Sequence, residues 1–162
     1  MRRILCAFVG GLALGGPATL IAQEPSVVGV WEIVELIDWN AEGEQSEPFG
    51  SDPNGYFVYT PEGRLILQIL PNPLPSAETR PITVEKLAAR ARSSIAYYGT
   101  YSVDYDRGVL IHEVAGALFP NRAGGAYERP FQLDEDELVL DFASEDGRRF
   151  LRRLRRVESL TQ

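Results

Sequence analysis

The sequence predicts an all-β fold: an eight-stranded antiparallel up-and-down β-barrel with one short helix between the third and fourth strands. Three observations predict it. Short runs rich in β-branched and aromatic residues recur along the chain, separated by turn signals. After the first 22 residues there is no further long apolar segment and no repeat at solenoid spacing. The 162 residues are 44% hydrophobic and 24% charged, which is typical of one globular domain.

The N-terminal segment, residues 1–22, is typical of a secretory signal peptide. It has a short basic start and an apolar run, Ile4–Leu14, that is too short to span a bilayer. We expect cleavage after Ala22, which predicts a secreted or periplasmic protein whose domain comprises residues 27–157. An uncleaved anchor or a buried N-terminal segment is the alternative. Cleavage would also remove Cys6, the only cysteine, so no disulfide could form within the remaining chain.

The first half of the domain contains three predicted strands and the predicted helix. The first strand is rich in β-branched and aromatic residues, and the next two flank a tight turn at Pro61-Glu62-Gly63. Prolines then break the chain, and Thr83 is a plausible cap for the helix that follows. The predicted elements are strands 26–39, 56–60 and 64–70 and a helix over 83–95, with a loop over 41–55.

The second half contains five predicted strands joined mainly by hairpins. Turns at Asp106-Arg107-Gly108, 134–136 and 145–147 are short and polar. The predicted strands are 97–105, 109–118, 126–133, 137–143 and 148–157.

The connections differ in length between the two ends of the predicted barrel. Three of the four connections at one end are long, whereas all three at the other end are tight turns. Eight strands are about the number that encloses one small ligand. We therefore expect a mouth with a loop and a short helix at one rim, the alternative being that the loop lengths are accidental.

Several short motifs together resemble the lipocalin-like domain family of bacteria and fungi. They cover roughly residues 27–157 and are Gly29-Val30-Trp31, Pro48-Phe49-Gly50, Asp52-Pro53-Asn54-Gly55, Tyr59-Thr60-Pro61-Glu62-Gly63-Arg64, Tyr98-Gly99-Thr100-Tyr101, His112, Pro120-Asn121 and Arg129-Pro130-Phe131. The resemblance implies a barrel of lipocalin type with Gly29 and Trp31 as its structural signature. It also implies that Arg156 packs on Trp31, with Arg153 and Arg155 as the alternatives.

His112 is the only histidine of the sequence. It is in phase with Leu110, Val114 and Leu118 on the more apolar face of its predicted strand, so we expect it to point inward. Three interpretations remain open: a hydrogen-bonded core histidine, a ligand contact, or a catalytic acid or base.

Arg129 is in phase with Tyr127 and Phe131, so an inward arginine among aromatic rings is expected. A buried guanidinium needs a partner. Glu35, in phase with Trp31 on the first strand, is the candidate within the chain, and the anionic head of a ligand is the alternative.

Tyrosine hydroxyls could also reach the barrel interior. Tyr59, Tyr98 and Tyr101 are the candidates, although packing explains tyrosines in a barrel at least as well.

The last strand carries a dense run of arginines, from Arg148 to Arg156. An anionic surface site is one interpretation. Charge pairing with neighbouring strands is the favoured one, with Glu32, Glu35 and Asp141 as partners.

Charge and composition limit the possible partners. Lys plus Arg is 16 and Asp plus Glu is 23, a net charge of −7 that argues against nucleic acid. One histidine and one cysteine argue against a transition-metal site, and no cofactor is predicted. Nucleophile-elbow and phosphate-loop motifs are also missing from the sequence.

The function predicted from the sequence is binding of a small apolar or amphipathic molecule inside the barrel, without stable insertion of the mature chain into a membrane. Tyr59, Tyr101, His112 and Arg129 are the predicted ligand contacts. One alternative is a small barrel enzyme, an isomerase, cyclase or hydrolase with His112 as acid or base. The other is an interaction domain with a filled core.

Overall fold

The computed structural model describes residues 26–72 and 83–160. The predicted signal peptide lies outside these residues. The described chain forms strands β1 (Gly29–Trp39), β2 (Gln45–Ser46), β3 (Asn54–Tyr59), β4 (Arg64–Leu70), β5 (Ile95–Asp104), β6 (Val109–Ala117), β7 (Ala126–Leu133), β8 (Glu137–Ala143) and β9 (Arg149–Glu158), and helix α1 (Val84–Arg92). A single 3₁₀ turn covers Pro120–Arg122.

Eight of the strands close a barrel, as predicted. β1 pairs with β3, each later strand pairs with the next, and β9 returns to pair with β1, all antiparallel. The short β2, inside the predicted loop 41–55, extends β1 through the pairs Asp38 with Ser46 and Trp39 with Gln45. Closure gives each of the eight strands a neighbour on both sides, which reduces the exposed sheet edge available for aggregation.

The predicted helix is present but shorter than expected. It begins at Val84, and the Thr83 hydroxyl caps it by accepting a hydrogen bond from the Lys86 amide at 3.3 Å. It ends at Arg92, where Ser94 donates its hydroxyl to the Arg90 carbonyl at 2.8 Å. Of the last three residues predicted as helix, Ser93 and Ser94 connect helix to strand, and Ile95 already begins β5.

Trp31 fills the end of the barrel that has the tight turns. It is fully buried, and its indole N–H donates to the Val27 carbonyl at 2.8 Å. The guanidinium carbon of Arg156 lies 4.0 Å from the ring centroid, a cation–π contact. Arg156 also donates to the Val28 carbonyl at 2.8 Å. The packing implied by the resemblance is therefore confirmed for Arg156 rather than for its two neighbours.

Gly29 makes this contact possible. A Cβ atom at that position would lie 2.8 Å from both Nη1 of Arg156 and the carbonyl oxygen of Glu158. Those distances are closer than a carbon atom tolerates without displacement, so a side chain here would push Arg156 off Trp31.

A β-bulge in β1 overturns one expectation. The pairing of β1 with β9 shifts between Ile33 and Glu35, which reverses the alternation of inward and outward side chains. Val34 is consequently 44% exposed, whereas Leu36 is 1% exposed. Glu35 lies outside, where its carboxylate accepts from Nε of Arg153 at 3.1 Å. The predicted pairing of Glu35 with Arg129 is therefore wrong.

The arginines of β9 pair with neighbouring strands, as the favoured interpretation predicted. Arg155 pairs with Glu32, Arg153 with Glu35 and with Glu137 at 3.0 Å, and Arg149 with Asp141. Because these pairs are largely exposed, each adds little to stability. These ion pairs link β9 to its two neighbours, β1 and β8, where the barrel closes.

The β7–β8 pairing is short. These strands pair only from Phe131 to Leu133 with Leu138 to Leu140, at the tight-turn end. By contrast, β1 and β9 pair along nearly their whole lengths. Towards the other rim β7 and β8 form no further ladder pairs.

Candidate functional site

A cavity of about 580 Å³ lies inside the barrel, towards the rim with the long connections. Its apolar wall includes Phe57, Leu67, Ile69, Ile95, Leu140, Phe142 and Phe150. The same cavity is lined by four arginines: Arg122, Arg129, Arg148 and Arg152. A cavity of this size with an apolar wall and a few polar groups is typical of a small-molecule site.

Arg129 is the most unusual of these arginines. It is half-buried, and its guanidinium carbon lies 4.0 Å from the ring centroid of Phe142 and 5.2 Å from that of Tyr127. Its Nη1 donates a hydrogen bond to the Glu128 carbonyl oxygen at 2.9 Å. Burial lowers the pKa of Arg129 from its ordinary value, although the group remains a cation.

No carboxylate within residues 26–72 and 83–160 forms an ion pair with Arg129. The nearest carboxylate in sequence, Glu128, points outward and pairs with Arg107 at 3.1 Å. Two other arginines of the wall are already neutralised: Arg152 pairs with Asp38 at 2.6 Å, and Arg148 with Asp146 at 2.9 Å.

Arg122, near the mouth, likewise has no ion pair with any carboxylate in the described chain. Glu128 and Glu145 are the acidic residues of the wall; Glu128 pairs with Arg107, whereas Glu145 has no cationic partner among the described residues. The unpaired charges of the wall are therefore two positive and one negative, so the cavity favours an anion over a cation.

Below the cavity, three side chains form a buried hydrogen-bonded chain. The Tyr59 hydroxyl lies 3.0 Å from Nε2 of His112, and the Tyr97 hydroxyl lies 2.9 Å from Nδ1. Burial lowers the pKa of His112 from 6.5 to about 3, and the positive charge of Arg129 acts in the same direction. His112 is therefore neutral near pH 7, with one ring nitrogen as donor and the other as acceptor.

The surroundings of Tyr59 determine which nitrogen carries the hydrogen. Tyr59 is fully buried, and His112 is the only hydrogen-bond partner of its hydroxyl among the described residues. A buried O–H group without an acceptor is costly, so Tyr59 donates to Nε2. Nδ1 then carries the hydrogen and donates to the Tyr97 oxygen, as assigned from this network. The O–H of Tyr97, which lines the cavity, is left free to donate.

Of the four predicted ligand contacts, only Arg129 lies on the cavity wall. Arg129 lines the cavity, whereas Tyr59 and His112 lie beneath it. Tyr101 lies towards the tight turns, where its hydroxyl donates to the Thr60 carbonyl at 2.8 Å and its ring packs edge-on against Tyr59. Their contact with a ligand stays a prediction.

The sequence reasoning missed Tyr97 and selected Tyr98 instead. Tyr98 is 59% exposed on the outer face of β5, whereas Tyr97 is buried. The alternation of side chains along a strand predicts that Tyr97 points inward, because it lies on the same side of β5 as Tyr101.

Within residues 26–72 and 83–160, no three histidine, cysteine or acidic side chains are grouped as metal ligands. No helix in the described part of the chain has the length and apolar character needed to cross a membrane.

Comparison with known proteins identifies a family for most of the chain. The family described as a lipocalin-like domain matches residues 28–153. One similar solved structure is a redesigned β-barrel, 14% identical, with a TM-score of 0.41 over 80% of this chain and 90% of that one. The sequence matches no curated protein.

Proposed function

Since the chain belongs to the lipocalin-like domain family, we propose that it binds one small apolar or amphipathic molecule in the cavity of its barrel. The observation that carries the proposal is the cavity of about 580 Å³ with its apolar wall. Binding of this kind needs only apolar surface to bury and a few polar groups to orient the ligand.

The proposed entrance is the rim with the long connections. The cavity wall contains Ile69 and Ile95, which flank the connection that carries α1, and Arg122 of the 3₁₀ turn. The opposite end is filled by Trp31, Tyr59 and Leu154, all fully buried. A barrel filled at one end and hollow at the other supports access from one side.

We further propose that the protein is exported. The support is the sequence of residues 1–22, with a basic start and an apolar run that match a signal peptide. The intact mass of protein recovered from the cell envelope should correspond to a chain that begins at Gln23. Recovery of the uncleaved chain from the cytoplasm alone would contradict export.

A titration with Nile red, a neutral apolar dye, tests the binding proposal. We expect saturable fluorescence enhancement at one dye per chain. Ile95→Trp, which places a large ring in the cavity, should weaken the dye at least about tenfold, a loss of about 1.4 kcal/mol of binding free energy. The matched control is Ile66→Trp on the exposed outer face of β4, which should leave binding unchanged.

Circular dichroism of both variants should match that of the unchanged protein, so that lost binding reports a blocked cavity. The proposal is wrong if the dye does not saturate, or if both tryptophan variants weaken it equally.

A further inference from the structure

We propose that the molecule bound in the cavity has an acidic head group, such as a carboxylate, which Arg129 holds with the Tyr97 hydroxyl beside it. Its hydrocarbon part lies against the apolar side chains of the opposite wall. This inference rests on the proposed function and specifies the chemical class of its ligand.

The first argument is that Arg129 has no carboxylate partner within the described residues. A half-buried guanidinium between two aromatic rings has lost much of its hydration, and desolvated charge is costly unless it is paired. The chain pairs the neighbouring Arg152 with Asp38 at 2.6 Å. It supplies no such carboxylate to Arg129 within the described residues. An anion from outside the chain would complete this site.

The second argument is that two donor side chains, Arg129 and Tyr97, line the same cavity. Tyr59 donates to His112, and His112 donates to Tyr97, so the Tyr97 O–H is available inside the cavity. Burial raises the pKa of the Tyr97 hydroxyl, and the positive charge of Arg129 acts in the opposite direction, as expected for two groups that lie close together. A guanidinium beside a hydroxyl donor matches the two oxygens of a carboxylate.

The third argument is the distribution of apolar surface. Arg129 is on β7, and β3 lies diametrically opposite β7 in the barrel order. Phe57 of β3 and Leu67 and Ile69 of β4 line that far side of the cavity. A ligand with its head at β7 and its hydrocarbon at β3 and β4 would be amphipathic.

A displacement series separates the head group from the hydrocarbon. Decanoic acid, decanol and decylamine have the same chain length and differ in charge, and each competes with Nile red near neutral pH. We expect decanoic acid to bind about tenfold more tightly than decanol, and decylamine to bind most weakly.

Three variants locate the preference for the acid. Arg129→Met should abolish the advantage of the acid and leave decanol within about twofold of its original affinity. Arg64→Met removes the same charge from the exposed start of β4 and should change neither affinity. Tyr97→Phe, which retains the ring but not the donor, should lower the affinity for the acid several-fold.

The outcomes distinguish this inference from the proposed function. Equal affinity for the acid and the alcohol would overturn the acidic head group while leaving cavity binding intact. The acidic head group at Arg129 is also overturned if Arg64→Met removes the preference as fully as Arg129→Met does. Absence of saturable Nile red binding would overturn both proposals. Failure of Arg129→Met to fold would show that Arg129 is structural and overturn its role, with Tyr97→Phe then reporting on the remaining donor.

Discussion

Mild acid should destabilise the protein through one side chain. His112 has its pKa lowered to about 3 by burial and by Arg129, whereas an unfolded chain restores it to about 6.5. Between those values only the unfolded state binds the proton, so stability falls as the pH decreases through this window. The sequence contains a single histidine, so no other imidazole titrates there.

The magnitude follows from the two pKa values. Lowering the pH from about 7 to about 5.5 should reduce the free energy of unfolding by about 1.3 kcal/mol. At pH values below both pKa values, the total loss of unfolding free energy would reach about 5 kcal/mol. Below about pH 5 the carboxylates contribute too, because Arg149 and Arg148 hold the pKa values of Asp141 and Asp146 below their usual range.

Urea unfolding monitored by tryptophan fluorescence measures this loss. The control is His112→Phe, which should be less stable at about pH 7 but should lose almost nothing between about pH 7 and about pH 5.5. A flat profile for the unchanged protein would refute the reasoning, and so would an equal loss in the variant. Either result would mean that His112 takes up a proton in the folded state.

Two predictions concern the filled end of the barrel. Trp31→Ala should cost about 3–5 kcal/mol of unfolding free energy by cavity formation. Trp39→Ala, at a half-exposed position, should cost clearly less unfolding free energy. Equal losses for the two variants in urea unfolding would contradict the structural role of Trp31. His112→Leu should cost about 2–6 kcal/mol, because it leaves the hydroxyls of Tyr59 and Tyr97 without their partner. Adding Tyr59→Phe and Tyr97→Phe should recover most of that loss, and no recovery in the same assay would refute the hydrogen-bonded chain.

Much of the fold could be predicted because strand alternation and turn chemistry are local properties. Parity placed His112 and Arg129 inward, as the structure shows, but Leu118 is 48% exposed because the pairing of β5 with β6 shifts between Val114 and Gly116. The bulge before Glu35 could not be predicted, since it depends on how β1 pairs with β9 across more than a hundred residues. One inserted residue therefore moved Glu35 from the expected interior to the surface.

The candidate site could be predicted only in part. Composition and parity identified Arg129 as an inward charge, but its lack of a carboxylate depends on where Glu35 and Glu128 finally point. The hydrogen-bonded chain joins three different strands, and no local pattern marks side chains that meet across a barrel. The alternation of side chains within β5 was sufficient to predict that Tyr97 points inward.

The short β7–β8 pairing gives the barrel an uneven resistance to opening. Local separation of a protein requires breaking only the contacts of the part that moves, and its free energy is lowest where those contacts are fewest. Between Arg129 and Phe142 the wall is held by a side-chain contact at 4.0 Å rather than by a continuous strand ladder. We therefore expect amide hydrogens beside this gap to exchange fastest among the strands, and a bound molecule to enter and leave on the timescale of that breathing while the β1–β9 closure stays intact.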